Sequence, residues 1–281
     1  MTLRYGAVVT SLRSLRGKPA IAEVAPTQMA VRYRNGTSGR RGIAPLADIY
    51  VPPDPSGASV VLVHGGGFVL GSRRMKPMRY LAAQLVGAGV SVFAIDYRMI
   101  FRGGRLDEAT DDVRAACEFW LARAPQLGLA AGAVSIAGLS AGGTLALLAA
   151  GRVAELATVT CCFGLYEVDH LRGPAALLPR LLFGTSDRAA WIERSPRHAT
   201  QPAMSTLLLH GSDDGLVPVE QARRLAAHRA ALGLQTRLVI YDGAPHGFFN
   251  VPVPAADAGA REIIAHVNRQ LPAQDLAAQH V

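Results

Sequence analysis

The stretch "SIAGLSAGGTLALL" (residues 135–148) places one serine, Ser140, between an apolar run and a glycine pair that opens a second apolar run. The first run is typical of a strand buried on both faces, and the second is typical of a helix. Gly138 and Gly142 complete the pattern G-x-S-x-G, which can hold a serine on a strained strand-to-helix turn with its Oγ exposed. Serine is also a favoured helix cap at such a junction, so the stretch alone leaves nucleophile and cap open.

Short apolar runs alternate with helix-like stretches along the rest of the chain. The runs cover 28–34, 46–52, 59–65, 90–96, 133–138, 159–165, 206–211 and 237–243, and the helical stretches cover 77–87, 107–124, 141–154, 218–232 and 257–270. This alternation predicts right-handed βαβ units, and hence an α/β fold whose mostly parallel, eight-stranded sheet carries helices on both faces. The first two runs, joined by "NGTSGRRG" (35–42), predict an antiparallel hairpin at one edge.

The domain organisation follows from length. We expect one domain over 1–281, because α/β folds often reach this size as a single unit. Between the sixth and seventh runs, however, the chain is much longer than one crossover helix requires. The excess predicts a small helical cap, with cap elements at 1–25 and 166–204.

Composition limits the partners and the compartment. The chain is 50% hydrophobic and only 18% charged, which fits a compact enzyme. Its net charge of +8 comes from dispersed arginines without a basic run or a recognisable module, so we expect no nucleic-acid partner. The apolar runs are shorter than the roughly 18 residues of a membrane span, and the N-terminal segment lacks the apolar region of a signal peptide, so we expect neither stable membrane insertion nor export.

The cysteines and glycine motifs bear on cofactors. Cys117, Cys161 and Cys162 lie in apolar stretches, which indicates buried thiols in a reducing compartment and a cytoplasmic location. No Cys/His cluster and no phosphate-binding glycine motif occurs in the sequence. We therefore expect no metal and no organic cofactor. The oligomeric state stays open, with a homodimer among the alternatives.

A glycine-rich turn follows the third predicted strand. In "HGGG" (64–67) the glycines leave backbone N–H groups unscreened, as an oxyanion hole requires, although an ordinary glycine turn would look the same. His64, and His210 after a later strand, are expected to hydrogen-bond to backbone near the site.

Two later strands end in candidate acid and base residues. "HGSDDGLVP" (210–218) places Asp213 and Asp214 directly after a strand. Asp214 is the better candidate to orient an imidazole, whereas Asp213 is typical of a turn or capping residue. "YDGAPHGFF" (241–249) presents His246 in a short loop after the last strand.

In the order Ser140, Asp214, His246, these motifs resemble the α/β-hydrolase family, and more narrowly the hormone-sensitive-lipase-like bacterial carboxylesterases with their HGGG and G-x-S-A-G-G motifs. The resemblance covers roughly residues 45–270. It implies the α/β-hydrolase fold and a nucleophile, acid and base at those three positions.

Outside the triad the resemblance is uneven. "DYR" (96–98) and "RSPRHATQP" (194–202) are similar to segments of such esterases, and some features resemble kynurenine-formamidase-like and acetyl-esterase-like hydrolases. Two positions depart: Leu139 stands where many lipase-like members have Asp, and "MIFRGGR" (99–105) stands where many continue L-A-P-E.

The expected function is therefore that of a serine hydrolase. Catalysis would use Ser140, Asp214 and His246, with the oxyanion bound by the N–H groups of Gly65, Gly66 and Ala141. The expected substrates are small-molecule esters with short to medium acyl chains. Four apolar residues are candidates to line the substrate pocket, and core packing explains each about as well: Phe68, Leu139, Trp191 and Phe248. Two alternatives remain, an arylformamidase or amidase with the same triad and a non-catalytic binding protein on a hydrolase fold.

Overall fold

The computed structural model describes residues 21–35, 43–168 and 177–269, and these residues build one sheet flanked by helices. Its strands are β1 (Gln28–Arg32), β2 (Leu46–Tyr50), β3 (Ser59–Val63), β4 (Ser91–Ile95), β5 (Val134–Leu139), β6 (Thr158–Cys162), β7 (Ser205–Gly211) and β8 (Thr236–Tyr241). Each of the eight predicted runs contains one of them or overlaps it within a residue.

The eight strands are ordered β1-β2-β4-β3-β5-β6-β7-β8. β2 pairs antiparallel with both β1 and β4, and the remaining neighbours pair in parallel. The predicted edge hairpin and mostly parallel sheet are both confirmed. Because parallel strands end at the same edge of a sheet, the segments that follow β3, β5, β7 and β8 converge there.

The helices of the described residues are α1 (Lys76–Gly87), α2 (Leu106–Arg123), α3 (Ala141–Ala150), α4 (Leu177–Phe183), α5 (Arg188–Glu193), α6 (Glu220–Ala231) and α7 (Pro254–Asn268). The prediction of a helix over 141–154 was too long, since α3 ends at Ala150. The chain turns at Gly151, where a side chain would lie 2.2 Å from the carbonyl oxygen of Thr200. The helix thus ends at a glycine whose missing side chain permits the close approach of Thr200.

Side chains of the central strands alternate between two core layers. In β3, Val61 and Val63 join the layer that packs against α2, α3 and α6, while Val60 and Leu62 join the layer under α1 and α7. All five residues of β3 are buried, as expected of a strand covered on both faces. The helices therefore lie on both faces of the sheet, as predicted.

The region of the predicted cap is described only in part. Within 166–204, α4 and α5 are present, and Arg194 Nη2 lies 2.5 Å from Asp107 Oδ2 at the start of α2. Residues 169–176, and residues 1–20 of the other predicted cap element, lie outside the described residues. The single-domain organisation stays a prediction.

Cys117, Cys161 and Cys162 are buried free thiols, and burial raises the pKa of each. In the part of the chain that the structure describes, no helix is both long and apolar enough to cross a membrane.

Candidate active site

Ser140 occupies a strained turn between β5 and α3. Its φ of 52° and ψ of −118° lie in a region that residues with a side chain rarely adopt, at a cost of about 1–3 kcal/mol. A Cβ on Gly142 would lie 2.3 Å from the carbonyl oxygen of Val63, so this glycine lets the turn approach β3. The Ser140 side chain makes no helix-capping hydrogen bond. Its position at the helix start therefore does not explain the serine.

Ser140 Oγ instead faces His246. The Oγ lies 3.0 Å from His246 Nε2, and His246 Nδ1 lies 2.7 Å from Asp214 Oδ2. Nδ1–H donates to the carboxylate, which leaves Nε2 free to accept the serine proton. The structure thus brings together three side chains that are 32 and 106 residues apart along the chain.

Asp214 is held as a buried carboxylate. Its side chain is fully buried, and Oδ1 accepts hydrogen bonds from the N–H groups of Leu216 (2.9 Å) and Val217 (2.7 Å). Burial alone would raise the pKa of Asp214, but hydrogen bonds from His210 and His246 outweigh it and hold the pKa well below its usual value. The group therefore stays ionised and can stabilise an imidazolium at His246.

The glycine-rich loop after β3 lies against the serine turn. A Cβ on Gly65 would lie 2.8 Å from the carbonyl oxygen of Leu139 and 3.1 Å from Ser140 Cβ. The next residue, Gly66, has φ +119°, and its carbonyl accepts from the N–H groups of Val69 and Leu70. Ala141 is the first residue of α3, so its N–H has no carbonyl one turn back to pair with. The candidate oxyanion donors thus flank Ser140 on two sides.

His64 stabilises this loop through contacts of its ring and its backbone. Its Nδ1 donates to the carbonyl oxygen of Gly65 at 2.7 Å, and its ring stacks on Tyr97 with centroids 4.3 Å apart. The Tyr97 hydroxyl in turn donates to the carbonyl oxygen of His64 at 2.9 Å. The imidazole thus makes one hydrogen bond to backbone, as expected of His64, and one stacking contact with a side chain.

An ion-pair cluster anchors the far end of the same loop. Arg73 pairs with Asp96, the first residue of "DYR", and its Nε lies 2.9 Å from Asp48 Oδ1. Arg74 also pairs with Asp48, at 2.5 Å. Burial alone would raise the pKa of Asp48, but hydrogen bonds from Arg74, the Ala30 N–H and Arg73 hold it below its ordinary value. These ion pairs therefore connect the segment after the glycine-rich loop to β2 and to the end of β4.

The four pocket candidates are buried. Leu139 (2% exposed) and Phe248 (0%) belong to the core layer under α1 and α7, and Phe68 and Trp191 belong to the opposite layer. Trp191 also donates its indole N–H to the carbonyl oxygen of Thr185. This placement favours core packing for all four, and a pocket role stays a prediction.

Two side-chain contacts with the candidate triad were not predicted from the sequence. Phe163, just after β6, has φ 43°, and its ring meets His246 edge to face with centroids 5.1 Å apart. His210 Nε2 lies 3.2 Å from Asp214 Oδ2, a contact beyond the backbone bonding expected of it. Both residues lie at the end of a strand or just after it, at the edge of the sheet that carries the candidate site. That position was the sequence signal that could have indicated their contacts. An aromatic residue after an apolar strand is more often part of the core, so the sequence pattern alone does not distinguish Phe163.

Comparison with known proteins gives one family match and several esterases. The BD-FAE family model matches residues 47–162. Esterase LipC of Mycobacterium tuberculosis is 29% identical over 82% of this chain, which spans 64% of that relative's length. Ethyl acetate hydrolase of Pseudomonas putida is 27% identical over 79% of this chain and 78% of its own. The crystal structure of esterase B from Lactobacillus rhamnosis, inhibited by a tributyrin phosphonate, covers 98% of this chain and 96% of its own, with 20% identity and a TM-score of 0.76.

Proposed function

We propose that this chain, which has the α/β-hydrolase fold and resembles the hormone-sensitive-lipase-like esterases, is a serine hydrolase of carboxylic esters. The observation that carries the proposal is the hydrogen-bonded chain from Ser140 through His246 to Asp214. The strained backbone at Ser140 supports it, because strain of this kind persists where function needs it.

The reaction begins when Ser140 Oγ attacks the ester carbonyl. His246 Nε2 takes the serine proton, and Asp214 stabilises the imidazolium that results. The N–H groups of Gly65, Gly66 and Ala141 would bind the oxyanion, and one such donor is worth roughly 3–4 kcal/mol of barrier.

The tetrahedral intermediate then collapses. His246 returns its proton to the departing alcohol, and the acyl group stays on Ser140 as an ester. Water, deprotonated by the same imidazole, attacks this acyl-enzyme and releases the acid with regeneration of the serine hydroxyl.

Substrates with short to medium acyl chains are proposed on two grounds. The named relatives include an ethyl acetate hydrolase and an esterase inhibited by a tributyrin phosphonate. Val69 and Leu70, 41% and 40% exposed, follow the candidate oxyanion loop and offer a small apolar surface there. The buried cysteines support a reducing, cytoplasmic compartment.

A p-nitrophenyl ester series from acetate to palmitate tests the proposal. We expect the largest kcat/KM among the short to medium chains and no turnover by Ser140→Ala, whose circular dichroism should match the parent's. Undiminished hydrolysis by Ser140→Ala would refute the mechanism. No hydrolysis of any ester by the parent would favour a non-catalytic role, and faster hydrolysis of N-formylkynurenine than of p-nitrophenyl acetate would favour the arylformamidase alternative.

A further inference from the structure

His210 lies beneath the proposed triad with a side chain that is fully buried. Its Nε2 is 2.8 Å from the carbonyl oxygen of Val217 and 3.2 Å from Asp214 Oδ2. A carbonyl oxygen can only accept, so Nε2 carries the proton and donates it to Val217, with Asp214 Oδ2 close to the same N–H. The longer of these contacts reaches the same carboxylate oxygen that bonds to His246 Nδ1.

The contact adds a second imidazole to the surroundings of the Asp214 carboxylate. Leu216 and Val217 donate their backbone N–H groups to Oδ1. His246 Nδ1 donates to Oδ2, and His210 Nε2 lies 3.2 Å from the same oxygen. A buried carboxylate with donors on both oxygens has one preferred orientation. The bond to Val217 also closes the turn from the end of β7 back onto the ring of His210. His210 therefore fixes both the side chain and the backbone of the proposed orienting acid.

We propose that His210 is a positioning residue of this site, which aims Asp214 Oδ2 at His246 Nδ1 through its own Nε2–H. The inference rests on the proposed function, since it concerns the same triad. It differs from a packing role, because packing needs the volume of the ring and positioning needs a donor at one atom.

Three substitutions at His210 separate the donor from the volume. His210→Phe keeps a ring and removes the donor. His210→Gln and His210→Asn carry the same amide, but only the longer glutamine places its N–H near the position of Nε2. The thermal unfolding midpoint of each variant is measured beside its kinetics, and if the phenylalanine variant does not fold, the asparagine and glutamine pair carries the test.

The measurements are kcat and KM on the best p-nitrophenyl ester, together with the downfield proton resonance of the hydrogen bond between His246 and Asp214. We expect His210→Phe and His210→Asn to lower kcat about tenfold with little change in KM and to weaken that resonance, because the carboxylate loses a donor. His210→Gln should recover most of both.

Two outcomes would overturn the inference: a folded His210→Phe or His210→Asn with the parent's kcat and resonance, or a His210→Gln as impaired as the other two. Failure of the proposed function gives a different result. In that case the parent itself lacks ester hydrolysis, or Ser140→Ala retains it.

Discussion

Replacing Asp214 by asparagine should disable the site through the tautomer of one imidazole. The carbonyl oxygen of the new amide will take the position of Oδ1, because the N–H groups of Leu216 (2.9 Å) and Val217 (2.7 Å) require an acceptor there. The NH₂ group must then occupy the position of Oδ2, 2.7 Å from His246 Nδ1. Only an unprotonated Nδ1 can meet that donor, so the proton of His246 moves to Nε2.

An Nε2 that carries a proton cannot accept one from Ser140 Oγ, 3.0 Å away. The opposite amide orientation would turn the NH₂ group toward two backbone N–H groups, whereas the expected one places it near a single N–H, that of His210, which is shared with the carbonyl oxygen of Val217. We therefore expect kcat to fall by about 10⁴, the size of effect that a wrong imidazole tautomer produces in a serine triad. The assay is steady-state hydrolysis of a short p-nitrophenyl ester, with equilibrium unfolding in urea to show that the variant is folded.

Asp213→Asn is the matched control. It removes the same charge one residue away, at an exposed side chain, and keeps the backbone bond from the Asp213 N–H to Ala244. We expect its kcat to stay within about twofold of the parent's, because an exposed charge contributes little interaction energy. Asp214→Asn activity within tenfold of the parent would refute the assignment of Asp214 as the orienting acid.

Two further predictions concern stability. Gly142→Ala places a Cβ 2.3 Å from the carbonyl oxygen of Val63 and 2.4 Å from that of His64, so the free energy of unfolding in urea should fall by about 3 kcal/mol. Gly87→Ala, in open space at the end of α1, should be neutral or slightly stabilising. Equal stability of the two variants would contradict the close approach at Gly142. Burial lowers the pKa of His64 and His266 in the folded chain, so the unfolded chain binds more protons as the pH falls below about 6.5, the ordinary histidine pKa. The free energy of unfolding should therefore decrease with falling pH by up to about 1.4 kcal/mol per pH unit for each histidine, and the decrease should be smaller in His266→Asn; a free energy independent of pH in this range would contradict the sign.

The central strands were predictable because burial on both faces leaves a largely apolar run. β3 and β5, for example, are buried at every position, and their runs in the sequence have the matching composition. The convergence of the site was predictable from topology, since Ser140, Asp214 and His246 each follow a strand and parallel strands end at one edge.

Contacts between distant elements were not predictable in the same way. The pairing of Arg73 with Asp48 and Asp96 depends on how a loop folds back on β2, and no local pattern encodes it. Leu139 illustrates the same limit. It departs from the aspartate common in lipase-like members and lies 2% exposed in the core layer under α1 and α7, where burial of an unpaired carboxylate would be costly. Its apolar character therefore fits its surroundings, which only the fold reveals.

Every step of the proposed reaction depends on Ser140 as the nucleophile. A fluorophosphonate added to the purified chain, followed by proteolysis and tandem mass spectrometry, tests this role directly. We expect one stoichiometric adduct on Ser140 Oγ, which forms much more slowly in His246→Asn and is absent from Ser140→Ala. An adduct on a different residue, or labelling of Ser140→Ala at the rate of the parent, would contradict it.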